Sequence, residues 1–388
     1  MLGSESTYKA FIVICVIFIS CLTQDIVKAN SDELIDPPYP VLHKIIDESL
    51  PHTSISDENS TTKQMTRITQ TRITVTRKTT FAKVTIPYRC HRTLQTGSVG
   101  PAEIVPSHIP RPAYVLNNGT ELAPKFPLIK NDSLVEAINQ SCSISKSVLE
   151  KLESYVREGI TTEQIDTYAH ELITRRGAYP SYLQFHRYPK SITTSINNIV
   201  AFGKPDNTKL RSGDIITVDI PVYYNGYHGA CVETFLVEKV DFAGQKLVNA
   251  AREITYAAIN CSRPGESFLT LGRVIERETK LRGYQVIPSV QGYGIGEFLR
   301  EYPRIIHFGI PNRENIKVKN EAINGIMQPG MVFTVRPAIT DGKPDCVSLP
   351  EESYEYQDKW TVVTMDGSRS AQFGRTVLIT NDGYKILS

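Results

Sequence analysis

Asp219 stands alone among apolar neighbours in Val218-Asp219-Ile220, a run that reads as the first strand of a hairpin. A carboxylate in that setting suits a divalent cation if a second acid shares the face, because hard cations exchange their water for sets of carboxylate and imidazole donors. Asn225-Gly226 marks the turn, since this pair most readily supplies the two positive φ angles of a type I′ hairpin. With a two-residue turn, Tyr224 faces Tyr227, Asp219 faces Val232, and position 230 becomes the diagonal neighbour of Asp219 on the same face. Position 230 is alanine. The hairpin thus offers one carboxylate where a metal pair wants at least two, and Glu233 falls on the opposite face.

The elements that must position this hairpin follow from periodicity. A helix is expected from about Ser133, with Leu134, Ile138, Val148, Leu149, Leu152 and Tyr155 near helical spacing. A second starts at the capping-box-like Thr161-Thr-Glu-Gln164 and stops at Gly177. Two more amphipathic helices are expected over roughly 243–260 and 267–282, the latter ended by Gly283. Strand-like runs recur at 330–339, 360–365 and 373–380. Helices paired with antiparallel strands make the fold α+β, with helices on one face of a curved sheet. The prolines of Val105-Pro-Ser-His-Ile-Pro-Arg-Pro-Ala-Tyr exclude helix and suggest a strap lying on a surface.

At 388 residues and 40% apolar content, the chain can bury a large core. A net charge of +2 gives no field that would argue for nucleic acid. Residues 1–104 read as an N-terminal extension and 105–388 as the folded domain. Residues 61–102 hold no Asp or Glu, eight Lys or Arg and twelve Thr, the composition of an organelle transit peptide or of a solvated linker. Residues 10–22 form an apolar run of thirteen behind Lys9, short for a membrane span and suited to a secretory signal. The two signals conflict, and a start at Met65 rather than Met1 would reconcile them. Mitochondrial targeting is the expectation, with the secretory pathway as the alternative. Seven scattered cysteines without a CxxC pair read as free thiols.

Several motifs occur in one order: Tyr188-Pro-Lys-Ser followed by Thr194-Ser-Ile-Asn-Asn, Asn225-Gly-Tyr-His-Gly, Gly292-Tyr-Gly-Ile-Gly, Phe333-Thr-Val-Arg-Pro, Trp360-Thr-Val-Val and Ser370-Ala-Gln-Phe-Gly-Arg-Thr. Together they resemble the type 1 methionine aminopeptidases of peptidase family M24, and the strap at Val105 resembles the organellar branch. The resemblance spans about 105–388. It implies the pita-bread fold and, for an ordinary member, removal of N-terminal methionine from new proteins by two divalent metals such as Co, Mn, Zn or Fe.

Carried over by position, the resemblance assigns the family's five metal-ligand positions to Asp219, Ala230, Tyr293, Arg336 and Gly374. Only Asp219 keeps the family's residue type. Two histidines that assist the reaction in the family fall on Phe202 and Arg300. Phe185, Tyr188, Thr193, Leu299 and Trp360 fall where the family holds the methionine side chain. The expectation is a protein without catalytic activity and without a metal cofactor, with Asp219 in an ion pair with Arg336 or Arg375. Arg300, Arg336 and Arg375 could instead converge as an anion site. The partners expected are peptide or protein N-termini, with no nucleic acid and no stable membrane span, and the chain is expected to be a monomer. The alternative is a methionyl aminopeptidase with a rebuilt or weak metal site.

Overall fold

A computed structural model describes residues 92–94, 97–309, 325–348 and 360–388. The targeting-like segments 10–22 and 61–91, the Met65 start and Cys15, Cys21 and Cys90 lie outside the described residues.

The chain enters along the strap, which ends in a single helical turn, α1 (Ala113–Leu116). The sequence reading excluded helix through Tyr114. Pro112 is the last proline of the run, however, and its φ of −60° is already helical, so the turn starts on the next residue. Upstream of residue 105 the chain already makes tertiary contacts. Arg92 pairs with Asp214 at 2.6 Å, and the buried Lys190 ammonium donates to Pro101 O at 2.9 Å.

Helix α2 (Asp132–Tyr155) is capped by Asn131, whose side chain accepts from Leu134 N. Helix α3 (Thr162–Thr174) carries the expected capping box between Thr161 and Gln164. Both lie on the long hairpin β4 (Ile215–Tyr224) and β5 (Tyr227–Leu236), which follows three short strands, β1 (Tyr179–Pro180), β2 (Thr193–Ile196) and β3 (Ile199–Ala201). Asn225 and Gly226 have φ of 49° and 88°, as a type I′ turn requires. The register is the one the turn dictates, with Asp219 opposite Val232 and Ala230 opposite Pro221. Strands β1 and β2 complete this sheet, and β2 sets Thr193 beside Asp219.

The second half repeats the arrangement. Helices α4 (Phe242–Ile259) and α5 (Leu269–Leu281) precede short antiparallel strands: β6 (Gln285–Val286), β7 (Gly292–Gly294), β8 (Glu301–Ile305), β9 (Val332–Val335), β10 (Ala338–Thr340), β11 (Cys346–Ser348), β12 (Val362–Thr364), β13 (Ser370–Gln372), β14 (Arg375–Ile379) and β15 (Tyr384–Ile386). Strands β7, β8, β9, β14 and β15 form one five-stranded sheet. Leu247, Ile254, Leu271 and Ile275 of the two helices are fully buried against Phe333, Val335, Val377 and Ile379 of that sheet. The halves are stitched at the hairpin: Val232 bridges Gly374 through reciprocal backbone hydrogen bonds of 3.1 and 3.0 Å. This is the α+β pita-bread architecture, helices outside and a curved antiparallel sheet within.

Candidate functional site

The cleft lies on the inner face of the sheet, and its floor is Asp219, 2% exposed. Strand alternation puts Asp219, Val232 and Ala230 on that face, so the carboxylate points at whatever β9 and β14 present across from it. What they present is Arg336, at the end of β9. Its Nη2 forms an ion pair with Asp219 Oδ2. The Tyr182 hydroxyl donates to the same oxygen at 2.5 Å. Burial, followed by the Asp219 carboxylate, pushes the Tyr182 phenol well above its usual range, against the opposing pull of Arg336 and Arg300. Asp219 Oδ1 is buried with no hydrogen-bond partner.

Arg336 is locked from behind. Its backbone N–H donates to His307 Nε2 at 3.3 Å, while His307 Nδ1 lies 3.1 Å from Val290 O. That pair of contacts makes Nδ1 the protonated nitrogen of a neutral ring. Burial, with the Arg336 charge adding to it, lowers the His307 pKa to about 3. The Gln372 side chain donates to Arg336 O at 2.8 Å. Gly374 closes the fit, because a Cβ on it would sit 2.7 Å from Arg336 Cβ and 3.2 Å from Val232 Cγ2. The Cα and Cβ of residue 336 occupy space that a side chain at 374 would need.

Arg300 forms the roof. Its guanidinium carbon lies 5.1 Å from the Phe185 ring centroid, 5.4 Å from Tyr293 and 5.8 Å from Phe202, a cation held over three rings. The segment carrying it is pinned by Glu121, whose carboxylate accepts from Leu299 N at 2.7 Å and Arg300 N at 3.0 Å. Around this cation the aromatic side chains cluster. Tyr188 meets Trp360 edge-on at 5.1 Å, Phe202 lies 5.9 Å from Trp360, and Tyr182 lies 5.7 Å from Tyr188. Phe185, Tyr188, Thr193, Leu299 and Trp360 are all buried. The desolvated setting, followed by the Arg300 charge, lowers His186 beside them to about 4.

The structure therefore brings Asp219, Arg336 and Gly374 together, and it gathers Arg300, Tyr293 and Phe202 with the aromatic residues. Arg375 does not join them. Strand alternation turns it to the far side of β14, where it contacts Glu233 at 3.2 Å and Val232 O at 3.2 Å. The anion site expected from three arginines is thus reduced to two, and Glu233 lies with Arg375 and Arg252, away from Asp219. Tyr182, His307 and Glu121 escaped the sequence reading. Tyr182 lies far from Asp219 in sequence, and the pairing of β1 with β4, continued by the Ser181 N–H donating to Pro221 O at 2.9 Å, brings its loop to the floor of the cleft.

Residues 136–381 match the model of Metallopeptidase family M24. The chain is 39% identical over 301 residues to methionine aminopeptidase 1D, mitochondrial, of Mus musculus and of Homo sapiens, an overlap of 77% of this chain and 84% of each relative. The chain belongs to the type 1 methionine aminopeptidase family. The methionine aminopeptidase of Rickettsia prowazekii superposes on it with a TM-score of 0.61 at 29% identity, covering 68% of this chain and 99% of that one. A prolidase from Pyrococcus furiosus, at 18% identity and TM-score 0.51, shares the fold.

Against the methionine aminopeptidase pattern, the donors in this cleft are few. Asp219 supplies a carboxylate whose Oδ2 already takes a guanidinium and a phenol. Ala230 and Gly374 supply none, and Arg336 brings a fixed positive charge. Among the described residues, no group of three or more His, Cys, Asp or Glu side chains is gathered as a metal centre requires. The four described cysteines, Cys142, Cys231, Cys261 and Cys346, are free.

Proposed function

We propose that this methionine aminopeptidase-like protein does not carry out metal-dependent hydrolysis, and that its cleft serves to bind peptide or protein N-termini. The observation that carries the reading is the Arg336–Asp219 ion pair, buried at the position where the family pattern puts a metal between carboxylates. Two divalent ions bring four positive charges into a cleft that contains Arg336 and Arg300. Like unit charges a few ångströms apart cost on the order of 4 kcal/mol per pair even with generous screening. The residues present do not fit a metal pair. Among the described residues, no other group in the cleft is placed to generate a nucleophile: His307 is neutral and engaged at both nitrogens.

The pocket supports binding. Phe185, Tyr188 and Trp360 retain an aromatic wall suited to an apolar first side chain. Asp219 Oδ1, without a partner, is an acceptor placed for an α-ammonium group. A mitochondrial location accords with the mitochondrial relatives and with the basic, acid-free tract 61–102.

Two measurements on the purified protein test this reading: metal content, and turnover of a Met-Gly-X peptide in Co²⁺, Mn²⁺ and Zn²⁺. The expected result is sub-stoichiometric metal and no turnover, together with saturable binding of the intact peptide that N-acetylation abolishes. Near-stoichiometric metal with turnover would instead establish an aminopeptidase with a rebuilt site.

A further inference from the structure

A second cavity, of about 430 Å³, lies between the strap and the tip of the β4–β5 hairpin. Its size is that of a small-ligand pocket. Tyr114, Tyr223, Tyr227 and Phe298 supply aromatic faces, and Glu121 and Glu297 supply carboxylates. Among the described residues, no lysine or arginine lines it. His228 is fully buried at its wall, stacked at 6.1 Å on Tyr114 and 4.7 Å from Tyr223. One ring nitrogen, Nδ1, contacts Ser181 Oγ at 2.8 Å. The other, Nε2, is buried without a partner.

We infer that this cavity is a binding site for an organic cation, an ammonium or guanidinium group, whose charge is met by tyrosine faces and the two carboxylates. Tyrosine rings attract cations through their negative faces, and attraction strengthens as water is excluded. Arg300 acts on Glu121 but carries its guanidinium over Phe185, Phe202 and Tyr293 in the cleft. Glu301, the other acid beside Glu121, is neutralised by the Lys130 ammonium at 2.7 Å. Burial raises the Glu121 carboxyl to about 7, against the opposing pull of the Leu299 and Arg300 backbone amides and of the Arg300 charge. The inference is independent of the fate of the cleft, so recovered aminopeptidase activity would leave it standing.

Isothermal titration of the whole protein at pH 8 with N-acetylarginine amide, and with its neutral isostere N-acetylcitrulline amide, tests the inference. The expected result is saturable binding of the arginine compound and at least ten-fold weaker binding of the citrulline compound. Glu297→Gln, an exposed position, and Tyr223→Leu should each weaken the arginine compound at least three-fold. Agmatine and a peptide with an internal arginine separate a free small cation from a basic side chain of a partner by which of the two binds more tightly. No binding of any cation, equal binding of the two isosteres, or binding indifferent to both substitutions would overturn the inference.

Discussion

Replacing Arg336 by methionine removes the guanidinium but keeps most of the side-chain volume, leaving Asp219 charged and 2% exposed. Removing one partner of a buried ion pair costs about 3–5 kcal/mol, because the surviving charge stays desolvated. Two features place this pair at the lower end. The Arg336 side chain is 13% exposed, so some screening reaches it, and the Tyr182 hydroxyl still donates to Asp219 Oδ2 in the variant. The expected loss is about 3 kcal/mol, or roughly 6 °C in melting temperature for a domain of this size. Asp219→Asn alone should cost less, about 2 kcal/mol, since the arginine can turn toward solvent. The double variant should recover much of the loss, giving a coupling of at least about 1.5 kcal/mol between residues in direct contact. Urea unfolding followed by the fluorescence of Trp360, the one tryptophan of the chain and a buried one, reads all four proteins. Additive single effects, or a loss under about 1 kcal/mol in Arg336→Met, would refute the claim that the pair carries the floor of the cleft.

Gly374→Ala should destabilise by about 1–3 kcal/mol, as overpacking does, and most of that cost should vanish in an Arg336→Gly background that removes the facing Cβ; equal melting shifts in both backgrounds would count against the interlock. Saturating Co²⁺ or Mn²⁺, or excess EDTA, should leave the melting temperature unchanged, whereas a site filled at a hundred times its Kd would add about 2.7 kcal/mol. Burial raises the Asp166 carboxyl from 3.8 to about 7, so its contribution is full below pH 4 and is lost as pH rises through 7. His228 and His307, lowered to about 3, contribute in the opposite sense, fully above pH 6.5 and less as pH falls. Asp166→Asn should therefore change in stability relative to the parent by on the order of 4 kcal/mol between pH 8 and pH 4, to its disadvantage in acid, and parallel denaturation profiles would sink this.

The hairpin was legible because its turn chemistry is local: Asn225-Gly226 fixes the register, and the register alone places Ala230 on the face of Asp219. Helices were legible where caps and periodicity agreed, as at Thr161 and Gln164. Strands of two to five residues, such as β6, β7 and β8, were not, because so short a run shows no alternation above chance and is held by its neighbours. The same limit applies to the site. That Arg336 meets Asp219 followed from motif positions, but the choice between Arg336 and Arg375 depended on which way β14 faces, a property of the sheet rather than of the residues. Tyr182, His307 and Glu121 carried no such label, since each acts through a contact made by distant segments.

The contacts around Arg336 also bear on how the family's ligand set could be put back. Gly374→Glu would drive a Cβ into the Cβ at position 336, an overlap that Arg336→Glu does not relieve, so the backbone there must shift in the single and the quadruple variant alike. Arg336→Glu by itself would bring a second acid against Asp219 with no cation between them, and like charges in a dry cleft repel. Ala230→Asp and Tyr293→His would add donors whose geometry depends on the first two. Each single step should therefore lower stability, while the quadruple variant Ala230→Asp, Tyr293→His, Arg336→Glu and Gly374→Glu should gain stability on adding Co²⁺ or Mn²⁺. A metal-dependent rise in melting temperature confined to the quadruple variant is the expected result. The same rise in the parent protein would show that the Arg336–Asp219 pair opens readily and that the cleft still accepts a cation.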